Sequence, residues 1–395
     1  MLGAIYIGLS GMNAFSRGLQ TISNNVANLN SPGYKSSSVN FTDVFNLGGL
    51  GSAYAGRNTQ SPGAGVRFGT PGVDFAQGDM RQSGGDLDLA VQGNGFLVVS
   101  EGDRTFYART GQFAVDKDGY ISLLGTNYHL NVLDGSRRLS ALNIDTLRTS
   151  SPKATTTVRF SDNLSSSATE AVVSDIAVHD SRGGRQVWQV KLTPVGSASP
   201  NQWTVSVTDQ TGAEVGTSTL RFIGSVVDPA TAKITITDAP AGADPLSVVL
   251  DFSSGVTSFS SGTTSTLRAA SVDGNGVGAI TRVSVNDKGH VELTYSNGKT
   301  EDLGAVALAD FRDVQQLERR GDGLFHNRGA EGRLVESATD GMGTLVSKQL
   351  EASNVDLAQQ FGDLILVQRG FQASSQVVSV SNDMIQQLFG IRGQG

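Results

Sequence analysis

The chain has 395 residues, of which 38% are hydrophobic, enough apolar material for two or three folded domains. A net charge of −7 removes the basic face that nucleic-acid phosphates require. The absence of cysteine excludes disulfides, thiolate metal sites and a Cys nucleophile, and no apolar run reaches the ~18 residues that would span a bilayer.

At the N-terminus, Leu2, Ile5, Leu9, Met12, Phe15, Leu19, Ile22, Val26 and Leu29 recur at steps of three or four. The spacing predicts a helix over about residues 3–28. Asn28, Asn30, Ser31, Pro32 and Gly33 stop it, because proline cannot continue a helix and Gly and Asn tolerate the exit geometry. Asn28, Pro32, Gly33 and Tyr34 are therefore expected to form a hinge or connector. Residues 46–72 are rich in Gly, Ser and Pro without periodicity and read as an irregular connector within a 31–72 linking segment.

From Val73 the period becomes two. Leu87, Leu89 and Val91 alternate, Phe96 to Val99 reads as a short buried strand, and Asp116-Lys117-Asp118-Gly119 reads as a turn. Residues 73–149 and 278–354 are expected to form an inner β domain, with 150–277 a further β domain inserted into it. In the insertion, Trp188, Val190 and Leu192, then Trp203, Val205 and Val207, then Leu246, Val248, Leu250 and Phe252 alternate with polar residues, as in a sandwich or barrel. Both tryptophans read as core anchors. Residues 253–278 have the composition of a loop or linker. A hairpin then follows, with Val283 and Val285 joined to Val291, Leu293 and Tyr295 through Asn286-Asp287-Lys288-Gly289.

Ser353, with Asp356 three residues later, reads as a capping box opening a final helix of about 35 residues, roughly 53 Å, that Gly390, Gly393 and Gly395 close. Leu357, Leu364, Phe371, Val378 and Ile385 hold an unbroken heptad. Its second core position falls to Phe361, Gln368, Ser375, Asn382 and Phe389, where polar residues would set register and partner number. The fold class expected is multidomain: coiled-coil termini paired in one domain over 1–30 and 355–395, plus two nested mainly-β domains. Ile5, Leu9, Met12, Leu19, Ile22, Val26, Leu357, Phe361, Leu364, Phe371, Val378 and Ile385 are the expected assembly interface. Unpartnered stripes of this kind are expected to be largely disordered until they join an assembly.

No catalytic constellation is present. The four histidines (His129, His179, His290, His326) lie in separate segments without metal-ligand spacing. Asp116–Gly119 departs from a calcium loop, because the glycine comes too early and no Glu follows at the required place. Gly274, Gly276 and Gly278 precede no helix that could hold a phosphate. No cofactor and no enzymatic activity are expected. The missing cysteines and the lack of a basic, apolar leader read as cytosolic on composition alone.

Asn24-Asn25-Val26-Ala27-Asn28, then Ser31-Pro32-Gly33-Tyr34-Lys35 and Phe41, resembles the N-terminal signature of bacterial flagellar rod and hook proteins. Three further blocks resemble the family in its usual order: Asp86 to Phe96, Tyr107 to Phe113, and Leu350 to Leu357 with Gln368-Arg369-Gly370-Phe371-Gln372. The family usually has Tyr where Phe371 stands. Within it, the long β insertion and the stretch Tyr295 to Phe311 favour a hook subunit over a distal rod subunit, the alternative. The resemblance implies a helical homopolymer that couples rod to filament as a flexible curved tube and transmits motor torque. It also implies contacts with the rod protein, the hook cap and the hook–filament junction proteins. Export through the flagellar type III apparatus without a cleaved signal follows too, replacing the cytosolic reading with a place in the basal body and hook, outside the cell. No nucleic-acid partner and no membrane insertion are implied.

Overall fold

Two helices carry the ends of the chain in the computed structural model, which describes residues 2–44, 65–133, 136, 138–196, 201–239, 242–329, 332–335 and 343–392. Helix α1 spans Leu2–Ala27 and helix α2 spans Leu357–Arg392; among the described residues between them the regular elements are strands and two short 3-10 helices. The chain divides into two units. One comprises Met1–Ile144, Ser284–Glu292 and Asp302–Gly395, the other Asp145–Val283 and Leu293–Glu301.

In the first unit, α1 and α2 lie against each other in antiparallel fashion. Gly8 approaches Val378, Gly11 approaches Ser374, Gly18 approaches Val367, and Phe15 lies over Gly370. Small residues at these points let two helix backbones come close. Asp356 caps α2, its Oδ1 accepting from the backbone N–H groups of Ala358 and Gln359 at 2.8 and 3.2 Å. The cap is thus the residue before the helix and not Ser353, whose hydroxyl accepts only from Val355 N–H, at 3.4 Å. Gly390 does not end α2, which runs on to Arg392.

Much of the expected 46–72 connector lies outside the described residues. Its end is a strand, Val66–Phe68, paired antiparallel with Phe41–Asp43. This hairpin packs on α1, with the Phe15 and Phe41 rings 5.0 Å apart and Ser10 Oγ accepting from Val66 N–H at 3.3 Å. Local composition misses such a strand because tertiary packing sets its conformation.

The β body of this unit is built around Phe96–Glu101, whose first four residues are buried. It pairs antiparallel with Arg104–Ala108, His129–Leu133 and Leu308–Phe311. The chain returns to close it. Leu324–Asn327 joins Arg104–Ala108, Thr344–Ser347 joins Asp88–Gln92, and Gln349–Glu351 joins Met80–Gln82. Phe96, Phe311 and Phe325 form the core, with Phe75 and Tyr107 packed against it. The phenylalanine rings meet at tilted or edge angles, 5.2–5.9 Å apart, as aromatic quadrupoles favour.

The second unit buries Trp188, Val190, Leu192, Trp203, Val205, Val207, Leu246, Val248, Leu250 and Phe252 in one core. Antiparallel strands Ala171–His179, Arg185–Pro194, Gln202–Thr208 and Glu214–Ile223 supply much of it. Thr157–Asn163 pairs parallel with Leu246–Asp251 and antiparallel with Arg268–Val272. The stretch 253–278 is therefore not a linker. It contributes the strands Val256–Thr257 and Arg268–Val272, and Val256 and Leu267 enter the core. Its hydroxyls and amides hold it in place; Asn163 Oδ1, for example, accepts from Phe259 N–H at 2.8 Å.

One turn design recurs in both units. Asp116, Asp180, Asp209 and Asn286 each accept, through Oδ1, the N–H groups two and four residues onward. An Asx side chain can fix a turn in this way without any distant contact.

Trp188 is wholly buried, and its indole N–H has no partner. Trp188→Ala should cost about 3–5 kcal/mol. Trp188→Phe removes the orphaned donor with part of the ring and should stay within about 1.5 kcal/mol of wild type. Denaturant unfolding followed through the fluorescence of the remaining Trp203 would test this, and equal losses in the two variants would refute it.

Candidate functional site: the helical ends and their joint

The face of α2 turned toward α1 carries Gln360, Leu364, Val367, Phe371, Ser374, Val378, Ser381 and Ile385, all buried or half-buried. Leu364, Phe371, Val378 and Ile385 lie where the heptad reading puts them. The second packed position falls one residue earlier than expected: Gln368, Ser375, Asn382 and Phe389 are exposed, as are Phe361 at 53% and Leu357 at 37%. On α1 the buried row is Gly8, Gly11, Ala14, Gly18, Ile22 and Asn25. Ile5, Met12, Leu19 and Val26 flank it half-buried, while Leu9 is exposed. A reading based on large apolar residues misses such a row because glycine carries no hydropathy signal, yet close approach demands it.

Several large residues lie outside that contact. Tyr6, Ile7 and Leu9 on α1 are exposed, together with Phe361, Ile365, Leu366, Val377, Val380, Met384, Leu388 and Phe389 on α2. Scattered exposed hydrophobics are ordinary, but a contiguous apolar face marks an interaction surface.

Where α1 ends, the chain is tied and not loose. Asn25 is fully buried; its amide donates to Gln360 Oε1 at 2.9 Å and to Ser37 O at 2.8 Å, and its Oδ1 accepts from Ser37 N–H at 2.9 Å. Asn28 Nδ2 donates to Asn24 O at 2.8 Å. Pro32 is exposed, and Gly33 adopts φ +68° with its N–H donating to Glu351 O at 2.7 Å. The Tyr34 ring carries the Arg319 guanidinium 4.7 Å above its centre.

Beneath this turn, Lys35 Nζ lies 2.6 Å from Glu351 Oε1 and donates to Ala76 O at 2.7 Å. Arg109 Nε lies 3.1 Å from Glu351 Oε2, and the rest of its guanidinium donates to the carbonyls of Val91, Gly93 and Gly95. All three side chains are buried. Burial pushes the Lys35 ammonium below its ordinary pKa, and the Glu351 carboxylate opposes that shift. Asn354 completes the joint. Its Oδ1 accepts from Ser36 N–H at 2.7 Å, and its amide donates to the carbonyls of Asp74 and Ala76 at 2.8 and 3.0 Å.

Reasoning by hydrophobic pattern missed Lys35, Arg109, Glu351 and Asn354. The signal available was a charged or amide residue inside each of three separated sequence blocks. A cleft of about 560 Å³ borders the joint, lined among others by Asn28, Tyr34, Leu124 and Arg320. Among the described residues no cluster of His, Asp or Glu could hold a metal, and no helix is long and apolar enough to cross a membrane.

The segments that build this joint and the helical pair are those that match known families. Residues 5–35 match the flagella basal body rod protein family, and residues 346–391 match the flagellar basal body rod FlgEFG protein C-terminal family. Across the whole length, the chain is 27% identical to the flagellar hook protein FlgE of Treponema pallidum, covering 99% of this chain and 100% of that protein. It is 29% identical to the FlgE of Borreliella burgdorferi, over 98% and 99%, and 29% to that of Escherichia coli, over 97% and 98%. The chain is thus similar to flagellar rod proteins at its two ends and to flagellar hook proteins along its whole length. The crystal structure of Helicobacter pylori flagellar hook protein FlgE2 shares the fold, with a TM-score of 0.50 at 14% identity over 69% of this chain and 100% of that one. In this chain, the two matched segments meet at Asn25–Gln360 and Lys35–Glu351.

A Cβ at Gly33 would lie 2.8 Å from Thr110 Cγ2, in addition to the cost of the positive φ, whereas Gly102, at φ +57°, has open space around it. Gly33→Ala should therefore lower stability by about 1–3 kcal/mol, and Gly102→Ala by about 1 kcal/mol, the backbone cost alone. Thermal unfolding of the two variants measures the difference, and equal shifts would remove the crowding at Thr110.

Proposed function

We infer that this chain is the structural subunit of the flagellar hook, the part of the flagellum that extends from the basal body, and that its copies polymerise through the terminal helices. The observation that carries the mechanism is the uncovered apolar face. Phe361, Leu366, Leu388 and Phe389 stay half or more exposed while α1 and α2 meet through glycines set against Val378, Ser374, Val367 and Phe15. A neighbouring copy of the same helical pair, with an apolar face of its own, is the matching cover.

In this reading α1 and α2 form a coiled-coil-like pair. The 4-3 spacing of Gln360, Leu364, Val367, Phe371, Ser374, Val378, Ser381 and Ile385 supports it. Gln360, Ser374 and Ser381 act as the polar positions that hold register. The β body follows the motion of the helices through the joint at Gly33 and Lys35, so the segment expected to be a hinge serves as a coupling. Compliance then resides in contacts between copies. The role is structural, with self-assembly as the primary interaction. Contacts with rod, cap and junction proteins and passage through the type III export apparatus belong to the same reading. End-to-end likeness to hook proteins favours the hook over the distal rod.

Electron microscopy of purified protein after induced polymerisation should show curved tubes. Phe361→Glu with Leu388→Glu should leave a folded monomer by circular dichroism and abolish the tubes. Straight tubes would assign the chain to the rod, and unaffected assembly of the variant would refute the apolar-face mechanism. Amide exchange along α1 and α2 should slow at least about tenfold on passing from monomer to tube; equal rates in the two states would show that the helices are already set before assembly.

A further inference from the structure

The joint has an unequal charge count. Two buried cations, Lys35 and Arg109, face one buried carboxylate, Glu351. Asp74, the other carboxylate near Lys35, is exposed and is occupied by Ala76 N–H at 2.9 Å. Arg319 adds a third cation close by, donating to the Lys35 carbonyl and to Tyr34 Oη. The cations come from the N-terminal segment and from the β body, and the carboxylate comes from the segment that leads into α2. That segment sits between the two. Gln349–Glu351 pairs with Met80–Gln82, Gly33 N–H donates to Glu351 O at 2.7 Å, Glu351 N–H donates to Thr110 Oγ1 at 3.2 Å, and Gly78 N–H donates to Glu351 Oε1 at 2.8 Å.

We propose that residues 349–355 are a keystone that docks as a distinct step, and that Glu351 is its electrostatic latch. With the segment out, Lys35 and Arg109 repel each other; with it in, one carboxylate lies between them and pairs with both, offsetting that repulsion. Removing the anion leaves two cations buried together, whereas removing one cation leaves a balanced Arg109–Glu351 pair. A buried pair loses far more when an unpaired charge remains than when the charges still match. Lys35→Met also leaves Ala76 O a donor, Asn354 Nδ2. A side chain that merely filled space would show no such asymmetry. The proposal concerns the lone chain and stands apart from polymerisation.

The test is amide exchange on the full-length monomer, read in peptides covering 33–37, 80–82 and 349–352. Glu351→Gln should raise exchange there by at least about tenfold and Lys35→Met by less than about threefold. Lys35→Met added to Glu351→Gln should recover at least half of the change on a logarithmic scale. Peptides covering 188–207, in the second unit, should not change in any variant. Equal effects of the two single substitutions, a rise that includes 188–207, or no recovery in the double variant would each overturn the latch. Should Glu351→Gln alone fail to fold, a folded double variant supports the proposal and an unfolded one overturns it.

Discussion

Glu351 is the residue on which the first unit depends. Its carboxylate is buried, so it must be matched by opposite charge and hydrogen bonds. The matching groups are Lys35, Arg109 and Gly78 N–H. They come from three stretches far apart in sequence, so satisfying one side chain brings the exit of α1, the entry of α2 and the edge of the β body to one place. Neighbouring bonds such as Asn25–Gln360 and those of Asn354 then extend the same junction into the helical pair.

A second constraint is the close approach of the helices themselves. At Gly8, Gly11, Gly18 and Gly370 the missing side chain lets Val378, Ser374, Val367 and Phe15 of the opposite helix sit against the backbone. Other apolar residues, Phe361, Leu366 and Leu388 among them, lie outside that contact and are exposed. They form the surface that a neighbouring copy can cover.

The two β units are built differently. The second unit shares one large core that includes Trp188, Trp203 and Phe252. The β body of the first unit contains an aromatic cluster around Phe96 and Phe325 and is closed by strands from late in the chain. Strands within residues 308–351 thus complete its pairing.

Long-period and period-two patterns were legible in the residues alone. The two terminal helices, the strands around Trp188, Trp203 and Leu246, the turns at Asp116 and Asn286 and the motif blocks at both ends all report local geometry that repeats along the chain. What escaped was decided by distant contacts. The packed row of α1 consists of glycines that carry no hydropathy. The seam of α2 lies one residue from the expected second position, because its partner presents small residues. The strands Val66–Phe68 and Arg268–Val272 form only because a neighbour is there to pair with. The chain by itself determined the two helices and the strands with a clear two-residue alternation, since those follow from side-chain period. Only the tertiary structure decided that Lys35, Arg109 and Glu351 meet, because a buried charge chooses its partner through space and leaves no period to read.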